Sequence, residues 1–150
     1  MNNMTKGNAR DCRGSALVEL ALVAPIFVLL LTGAAEFGRL AYAAIEVTNA
    51  ARAGVAYAAQ SHITASNTAG IRQAARNDGS DVTSLSATSR FFCACSNGNS
   101  STCLPTDCSG ARIIEYVQVN TSATVDPLFY YPGLPKTFTL RGRAIMRVAQ

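Results

Sequence analysis

The stretch GSALVELALVAPIFVLLLTGAA, residues 14–35, decides the fold because it is long and apolar enough to cross a membrane. Between Ala16 and Ala35 its one charged residue is Glu19. At the helical rise of about 1.5 Å per residue, this length covers about 30 Å, the hydrocarbon thickness of a bilayer. A secretory signal peptide is the competing interpretation, but its apolar core usually runs about 7 to 15 residues, and Pro25 and Glu19 interrupt this longer one. We therefore expect an anchor that is retained.

Charges on either side of this stretch predict its orientation. The first fourteen residues carry three cations, Lys6, Arg10 and Arg13, and one carboxylate, Asp11, which gives a net charge of +2 out of +4 for the whole chain. The residues after the stretch carry charges of both signs. By the positive-inside rule, the N-terminus lies in the cytoplasm, and everything beyond about residue 36 lies outside the inner membrane, in the periplasm.

Glu19 is the unusual residue of the stretch. A carboxylate at membrane depth costs about 2.5–3.5 kcal/mol on insertion scales, so it either reaches the interface or has a partner. The motif that contains it, Gly14-Ser-Ala-Leu-Val-Glu19, resembles the processing site of type IV prepilins. In that family a membrane peptidase cuts after the glycine on the cytoplasmic side, and a glutamate is the fifth residue of the mature chain.

The resemblance implies cleavage between Gly14 and Ser15, which removes residues 1–14 as a basic leader. The new α-amine, with an ordinary pKa of about 8, is mostly protonated at neutral pH. A buried carboxylate and a buried ammonium are costly alone and tolerable together, and the family resemblance implies that Glu19 of one subunit pairs with the Ser15 amine of a neighbour. The alternative is a carboxylate that reaches the headgroups at the cytoplasmic end of an ordinary anchor.

A longer match extends this resemblance. Gly14, Glu19 and Pro25, followed by the Ala-Arg-Ala-Gly of residues 51–54, make the N-terminal part similar to the TadE-like pseudopilins of the Flp, or tight-adherence, pilus system. The sequences PLFYYPGLP and LRGRAIMRV, within residues 127–148, are similar to the end of that family. The matches therefore fall at both ends of the chain.

The TadE-like resemblance implies a minor pilin or pseudopilin of the tight-adherence (Flp type IVb) pilus and secretion system. Its implied partners are the prepilin peptidase, other pilin or pseudopilin subunits, the tight-adherence assembly platform and the inner membrane. Whether such a subunit enters the surface pilus, caps it or stays in the membrane is left open. The alternative is an unprocessed, single-pass, membrane-anchored periplasmic binding module, which shares this topology and differs at the Gly14–Ser15 bond.

Helical spacing continues beyond the apolar stretch. Apolar residues recur at three- and four-residue steps, which predicts one helix over about 15–60, with 15–36 in the membrane and 37–60 as its amphipathic periplasmic continuation. Pro25 has no amide hydrogen for the carbonyl of Ala21, so we expect a kink there.

Residues 61–150 are expected to form a small periplasmic domain, giving the chain a pilin-like α+β fold. Gly70–Gly79 predicts a short second helix, and His62 is interpreted as a solvated loop residue. From residue 82 the apolar period changes from 3.6 to 2, which predicts an antiparallel sheet of about three strands with the long helix on its dry face. Arginines on the wet face of the last strand are most simply solvated, with anionic headgroups or a partner subunit as alternatives.

The run DPLFYYPGLPK, residues 126–136, joins the last two strands as a proline-bounded turn with exposed aromatic residues. It is either an interaction surface or the lid of the small core, and the sequence does not separate the two.

Five cysteines divide by compartment. Cys12 lies in the leader, whereas Cys93, Cys95, Cys103 and Cys108 lie in the oxidising periplasm and predict two disulfides that staple the domain. Three pairings are possible, and because alternate strand residues share a face, we favour a nested one, 93 with 108 and 95 with 103. A structural zinc site is the competitor, although its usual spacing is C-x2-C or longer rather than C-x-C.

Motifs of catalysis are missing from the sequence. It contains no phosphate-binding loop, no nucleophile with an adjacent base and no carboxylate pair placed for acid and base work. Its cations are not clustered with aromatic residues as in a nucleic-acid-binding protein. We therefore expect a structural protein rather than an enzyme, with no catalytic residues, no cofactor or metal, no nucleic acid and no small-molecule substrate.

Overall fold

The computed structural model describes residues 12–130, 133 and 135–149, with the side chains from residue 14 onward. Most of the predicted leader, residues 1–11, lies outside the described residues. The elements in chain order are the helices α1 (Cys12–Ala58), α2 (His62–Ser66) and α3 (Thr68–Asp78), and the strands β1 (Ser86–Cys95), β2 (Ser100–Ser101), β3 (Ile113–Val125) and β4 (Phe138–Arg147). The chain divides into two compact units between Gly38 and Arg39.

The first unit is the apolar half of α1. Its most apolar 18-residue window has a mean hydropathy of 2.3, and none of that window is buried. Leucine and alanine dominate it, and both are strong helix formers. The helix is assigned without a break through Pro25. By length and composition it qualifies as a membrane span, with its whole circumference available to lipid or to other helices.

The second unit packs the rest of α1 against one face of a sheet. Five small residues of α1 are almost completely buried there, Val47, Ala50, Ala51, Val55 and Ala58. Alanine side chains let a helix approach a sheet closely. The closest approach is at β4, where a Cβ added to Gly142 would lie 2.5 Å from the carbonyl oxygen of Val47. The α+β fold predicted from the sequence, with the long helix on an antiparallel sheet, is confirmed.

The sheet has the strand order β2-β1-β3-β4, and every neighbouring pair is antiparallel. The expected three strands are β1, β3 and β4, and the two-residue β2 is a small addition that pairs with the end of β1. Along β3 the buried positions alternate strictly from Val117 to Ala123. One face therefore holds the core, and the other faces outward.

Two short helices connect α1 to the sheet. Ser61 and Thr64 form a capping box at the start of α2, and Asn67 caps α3. The predicted second helix corresponds to α3, which ends at Asp78 with Gly79 as its C-cap, as expected, but begins earlier, at Thr68.

The environment of His62 differs from that of the solvated loop residue expected from the sequence. Its side chain is 71% exposed, yet it begins α2, and its Nδ1 lies 3.0 Å from Oε2 of Glu115. The ring also meets Phe91 edge-on, with 5.8 Å between ring centroids. The histidine therefore links α2 to the sheet, a contact that its polar sequence neighbourhood does not reveal.

The cysteines form two disulfides, but the nested pairing is wrong. The bonds join Cys93 to Cys103 and Cys95 to Cys108. The cause is the hairpin between β1 and β2, which turns at Gly98 with a φ of 91° and places Ser101 opposite Cys93. Cys103 follows two residues after Ser101 and therefore lies close enough to bond to Cys93.

Cys95 takes the other partner because the chain comes back to it later. The amide of Ser96 donates to the carbonyl of Arg112, so the segment that enters β3 runs beside the end of β1. Cys108 lies on this returning segment. All four cysteines are thus consumed as disulfides, which removes the thiolate ligands that the competing zinc site requires.

Candidate functional site

The candidate site is the start of the exposed part of α1, where Gly14, Ser15 and Glu19 follow one another within two helical turns. Ser15 and Glu19 are four residues apart, so their side chains lie on the same face of the helix. The Ser15 hydroxyl donates to Oε1 of Glu19 at 3.5 Å, a long hydrogen bond between two exposed groups. This face therefore presents Ser15 and the Glu19 carboxylate together.

Gly14 has no packing role among the described residues. It lies within α1, where glycine is less favourable than alanine by about 1 kcal/mol, and a Cβ added to it would meet no atom within 4 Å. The same holds for Gly33 further along the helix.

Glu19 stands at the start of an uncharged surface. From Leu20 to Ala35 there is no ionisable residue, and the large side chains around the carboxylate, Leu17, Val18 and Leu20, are exposed. A carboxylate in such surroundings is stable in lipid when it reaches the headgroups or meets a cation. The geometry leaves the carboxylate open to either.

Pro25 and Thr32 modify the same helix. Pro25 lies inside α1, and its missing amide leaves the carbonyl of Ala21 without its usual helical donor. The Thr32 hydroxyl donates to the carbonyls of Val28 and Leu29, at 3.0 Å each. Sequence reasoning missed Thr32, although it is the one hydroxyl residue between Leu20 and Ala35. Its internal hydrogen bonds make it compatible with lipid.

The disulfides belong to the second unit and form a separate stapled loop, residues 93–108. The Asp107 carboxylate, which sequence reasoning missed, holds this loop by accepting several hydrogen bonds. Its Oδ2 accepts hydrogen bonds from the Thr102 amide at 2.6 Å, the Thr102 hydroxyl at 2.7 Å and the Ser101 hydroxyl at 3.0 Å. The Thr102 hydroxyl, followed by the Thr102 amide, lowers the pKa of Asp107 because both stabilise the charged form. Cys103 is held in the left-handed region with a φ of 73°.

The outward face of the sheet is basic. The structure adds Arg90 of β1 to the three exposed arginines predicted on β4, and no carboxylate occupies an outward position of the described strands. The guanidinium of Arg90 lies 5.9 Å from the ring centroid of Phe92, which stacks on Tyr116 with 5.4 Å between centroids. On β3, Gln118 accepts a hydrogen bond from Arg143 at 2.9 Å.

Within the described part of the chain, no group of three or more histidine, cysteine or acidic residues is close enough to hold a metal ion. The features of the candidate site are a glycine in open space, a serine, a carboxylate in an apolar surface and a proline, all on one exposed helix.

Comparison with known proteins adds one positive result. A family model described as TadE-like protein matches residues 14–56, which lie entirely within α1. The resemblance noted from the sequence is thereby confirmed over this helix. The match does not reach residues 127–148, so the similarity at that end stays a prediction. No curated protein and no solved structure matches the chain significantly.

Proposed function

We propose that this chain, TadE-like by the match of its N-terminal helix, is a minor pilin or pseudopilin of the tight-adherence (Flp type IVb) pilus and secretion system. The observation that carries the proposal is Glu19 placed five residues after Gly14 on a fully exposed apolar helix, within the matched segment. In this role the chain is anchored in the inner membrane with its second unit in the periplasm.

Processing is the first step of the proposed function. The prepilin peptidase hydrolyses the amide between Gly14 and Ser15, so that water supplies the new carboxylate of Gly14 and the new amine of Ser15. The basic leader leaves on the cytoplasmic side. At neutral pH the amine takes a proton and becomes a cation, since an α-amine has an ordinary pKa of about 8.

Assembly is the second step. Glu19 of one subunit meets the Ser15 ammonium of a neighbouring pilin or pseudopilin, and each charge offsets the cost of burying the other. The pairing sets the register between helices, while the exposed apolar side chains of residues 14–35 pack around it. Small residues at Ala21, Ala24 and Gly33 allow helices to approach closely. The assembly platform of the tight-adherence system is the proposed partner for moving the subunit.

The experiment is an intact-mass measurement of the full chain produced with and without its cognate prepilin peptidase. We expect a peptidase-dependent loss of residues 1–14 from the wild-type protein and from Gly33→Ala, and no loss from Gly14→Ala. Gly33 is the matched control because both glycines lie in the same helix with open space around them. A Gly14→Ala chain that is cut like the wild type would contradict the proposed processing site.

A second function is favoured by one observation, the basic outward face of the sheet. In this alternative the chain is an unprocessed anchored module that binds an anionic partner through Arg90, Arg141, Arg143 and Arg147. A wild-type chain that keeps its leader in the presence of an active peptidase would support this alternative.

A further inference from the structure

The segment that follows β3 exposes three large side chains in succession. Leu128 is 58% exposed, Phe129 48% and Tyr130 70%. Residues 126–130 are called the aromatic loop below. Side chains this exposed do not cover a core, so of the two interpretations of this run the structure favours an interaction surface. Contiguous exposed apolar groups of this kind mark sites of contact with proteins or membranes.

Contacts within the second unit place the aromatic loop beside the beginning of that unit. The guanidinium of Arg39 donates a hydrogen bond to the carbonyl oxygen of Asp126. Arg39, Tyr42 and Asp126 also line the same cleft. Tyr42 is itself exposed, and its hydroxyl donates to Oδ2 of Asp81 at 3.1 Å, which raises the pKa of Tyr42 through that hydrogen bond to a carboxylate. The start of the aromatic loop, at Asp126, therefore lies at the same cleft as Tyr42, and the loop and Tyr42 are together called the aromatic rim.

Chain connectivity keeps this rim close to the end of the apolar stretch. Arg39 is four residues beyond Ala35, and four residues of chain span at most about 14 Å even when fully extended. The polar interface of a bilayer is about 6 Å thick on each side. A loop bonded to Arg39 is therefore close enough along the chain to contact the periplasmic membrane–water interface of the bilayer in which α1 is proposed to lie.

The chemistry of the rim fits that interface. Tyrosine places an apolar ring at headgroup level while its hydroxyl remains hydrated, and aromatic residues are enriched at both interfaces of membrane proteins. Leucine and phenylalanine gain from burial in the boundary between headgroups and acyl chains. Arg39 adds a cation beside the start of the loop. These groups match a lipid surface better than they match a charged partner.

We propose that the aromatic loop inserts into the periplasmic interface of the bilayer and acts as a second, shallow anchor for the domain. Leu128, Phe129 and Tyr130 are the inserting side chains. The proposal rests on the membrane placement of α1 and not on processing or pilus assembly, so it stands or falls separately from those parts of the proposed function.

Tryptophan fluorescence tests the insertion directly because the chain contains no tryptophan. Leu128→Trp places the single probe in the aromatic loop, and Leu104→Trp places it on an equally exposed leucine, 57% against 58%, in the stapled loop. The two loops lie at opposite ends of the sheet. The stapled loop follows the end of β1 that pairs with Ile113, whereas the aromatic loop follows Val125, at the other end of β3. Tyr130→Trp is a second probe in case Leu128→Trp perturbs the loop, and Phe27→Trp reports on the span.

Each full-length variant is reconstituted in phosphatidylcholine nanodiscs, with and without bromine on a shallow acyl carbon, and Phe27→Trp is measured with bromine near the end of the acyl chain because that probe lies near the middle of the span. Phosphatidylcholine carries no net charge, so quenching in these nanodiscs reports insertion of apolar side chains rather than attraction to anionic headgroups. We expect bromine to remove most of the emission of Leu128→Trp and Tyr130→Trp, together with a blue shift, and to leave Leu104→Trp unchanged. The disulfides, checked by mass, show that each variant is folded.

Two results would overturn the proposal. If Phe27→Trp is quenched while both loop probes behave like Leu104→Trp, the span is in the bilayer and the loop faces water, a partner protein or a second copy. If Phe27→Trp is not quenched either, α1 is not in the membrane, and the anchored topology of the proposed function fails with the inference. Quenching of the loop probes in a chain that keeps its leader would support the inference alone.

Discussion

Thr121 shows how one side chain fixes the contact between helix and sheet. It is the polar residue found buried in the described core, and its hydroxyl donates to the carbonyl of Val47 on α1 at 2.6 Å. Its partner across β3 and β4 is Gly142, where a side chain would collide with the same carbonyl. Strand alternation predicts that Thr121 faces the core, but its partner is 74 residues away in sequence and is not visible from the pattern.

The Thr121→Val variant removes this donor with little change in shape. We expect its unfolding free energy to fall by about 1 kcal/mol, the usual net value of an internal hydrogen bond. Thr139→Val, at an exposed outward position of β4, is the control and should change stability by less than about 0.5 kcal/mol. Thermal unfolding of the full chain in detergent checks both variants, and equal effects would show that the Thr121 hydroxyl contributes nothing specific.

At the scale of elements, what the sequence predicts depends on how local the signal is. Local signals predict most of the elements. An apolar period of 3.6 predicts the long helix, a period of 2 predicts the three long strands, and Gly79 marks the end of the short helix α3; each signal lies within one segment. The disulfide pairing depends on where the chain reverses, at Gly98, and on which later segment returns to β1. Nothing within the cysteine spacing itself encodes that route, and the nested pairing was wrong for that reason.

Thiol counting tests the pairing at this scale. In a Cys12→Ser background, replacing Cys93 and Cys103 by serine should leave the bond between Cys95 and Cys108 intact and no thiol open to alkylation. Each bond closes a loop of 10 or 13 residues, so losing one should cost about 3 kcal/mol.

The matched control for this test replaces Cys93 and Cys108 by serine, which leaves Cys95 and Cys103 without their partners. We expect that variant to take up two alkyl groups or to form a mispaired bond, as measured by intact mass before and after reduction. A fully oxidised, equally stable chain in the control, with two free thiols in the other variant, would restore the nested pairing.

At the scale of the whole molecule, the chain divides its tasks between two units. The first unit offers an exposed apolar helix, and the second is a folded domain held by two disulfides. The candidate site at Gly14, Ser15 and Glu19 was identifiable from the sequence because its spacing is local. Its proposed use comes from the family resemblance alone, because the pairing involves an amine that only cleavage would create and a second subunit.

The central claim is that Glu19 pairs with the amine that cleavage creates at Ser15, and a double-mutant cycle tests it most directly. In cells with an active prepilin peptidase, recovery of this chain with other pilus subunits from detergent-solubilised membranes is compared for wild type, Glu19→Gln, Gly14→Ala and the double variant. If the carboxylate acts through the Ser15 amine, each single variant loses most of the recovery, and the double variant loses no more than either, because both changes break one interaction. Glu19→Gln should still be cleaved. Full recovery of the uncleaved Gly14→Ala chain, together with loss in Glu19→Gln, would contradict the account, since Glu19 would then act without the amine.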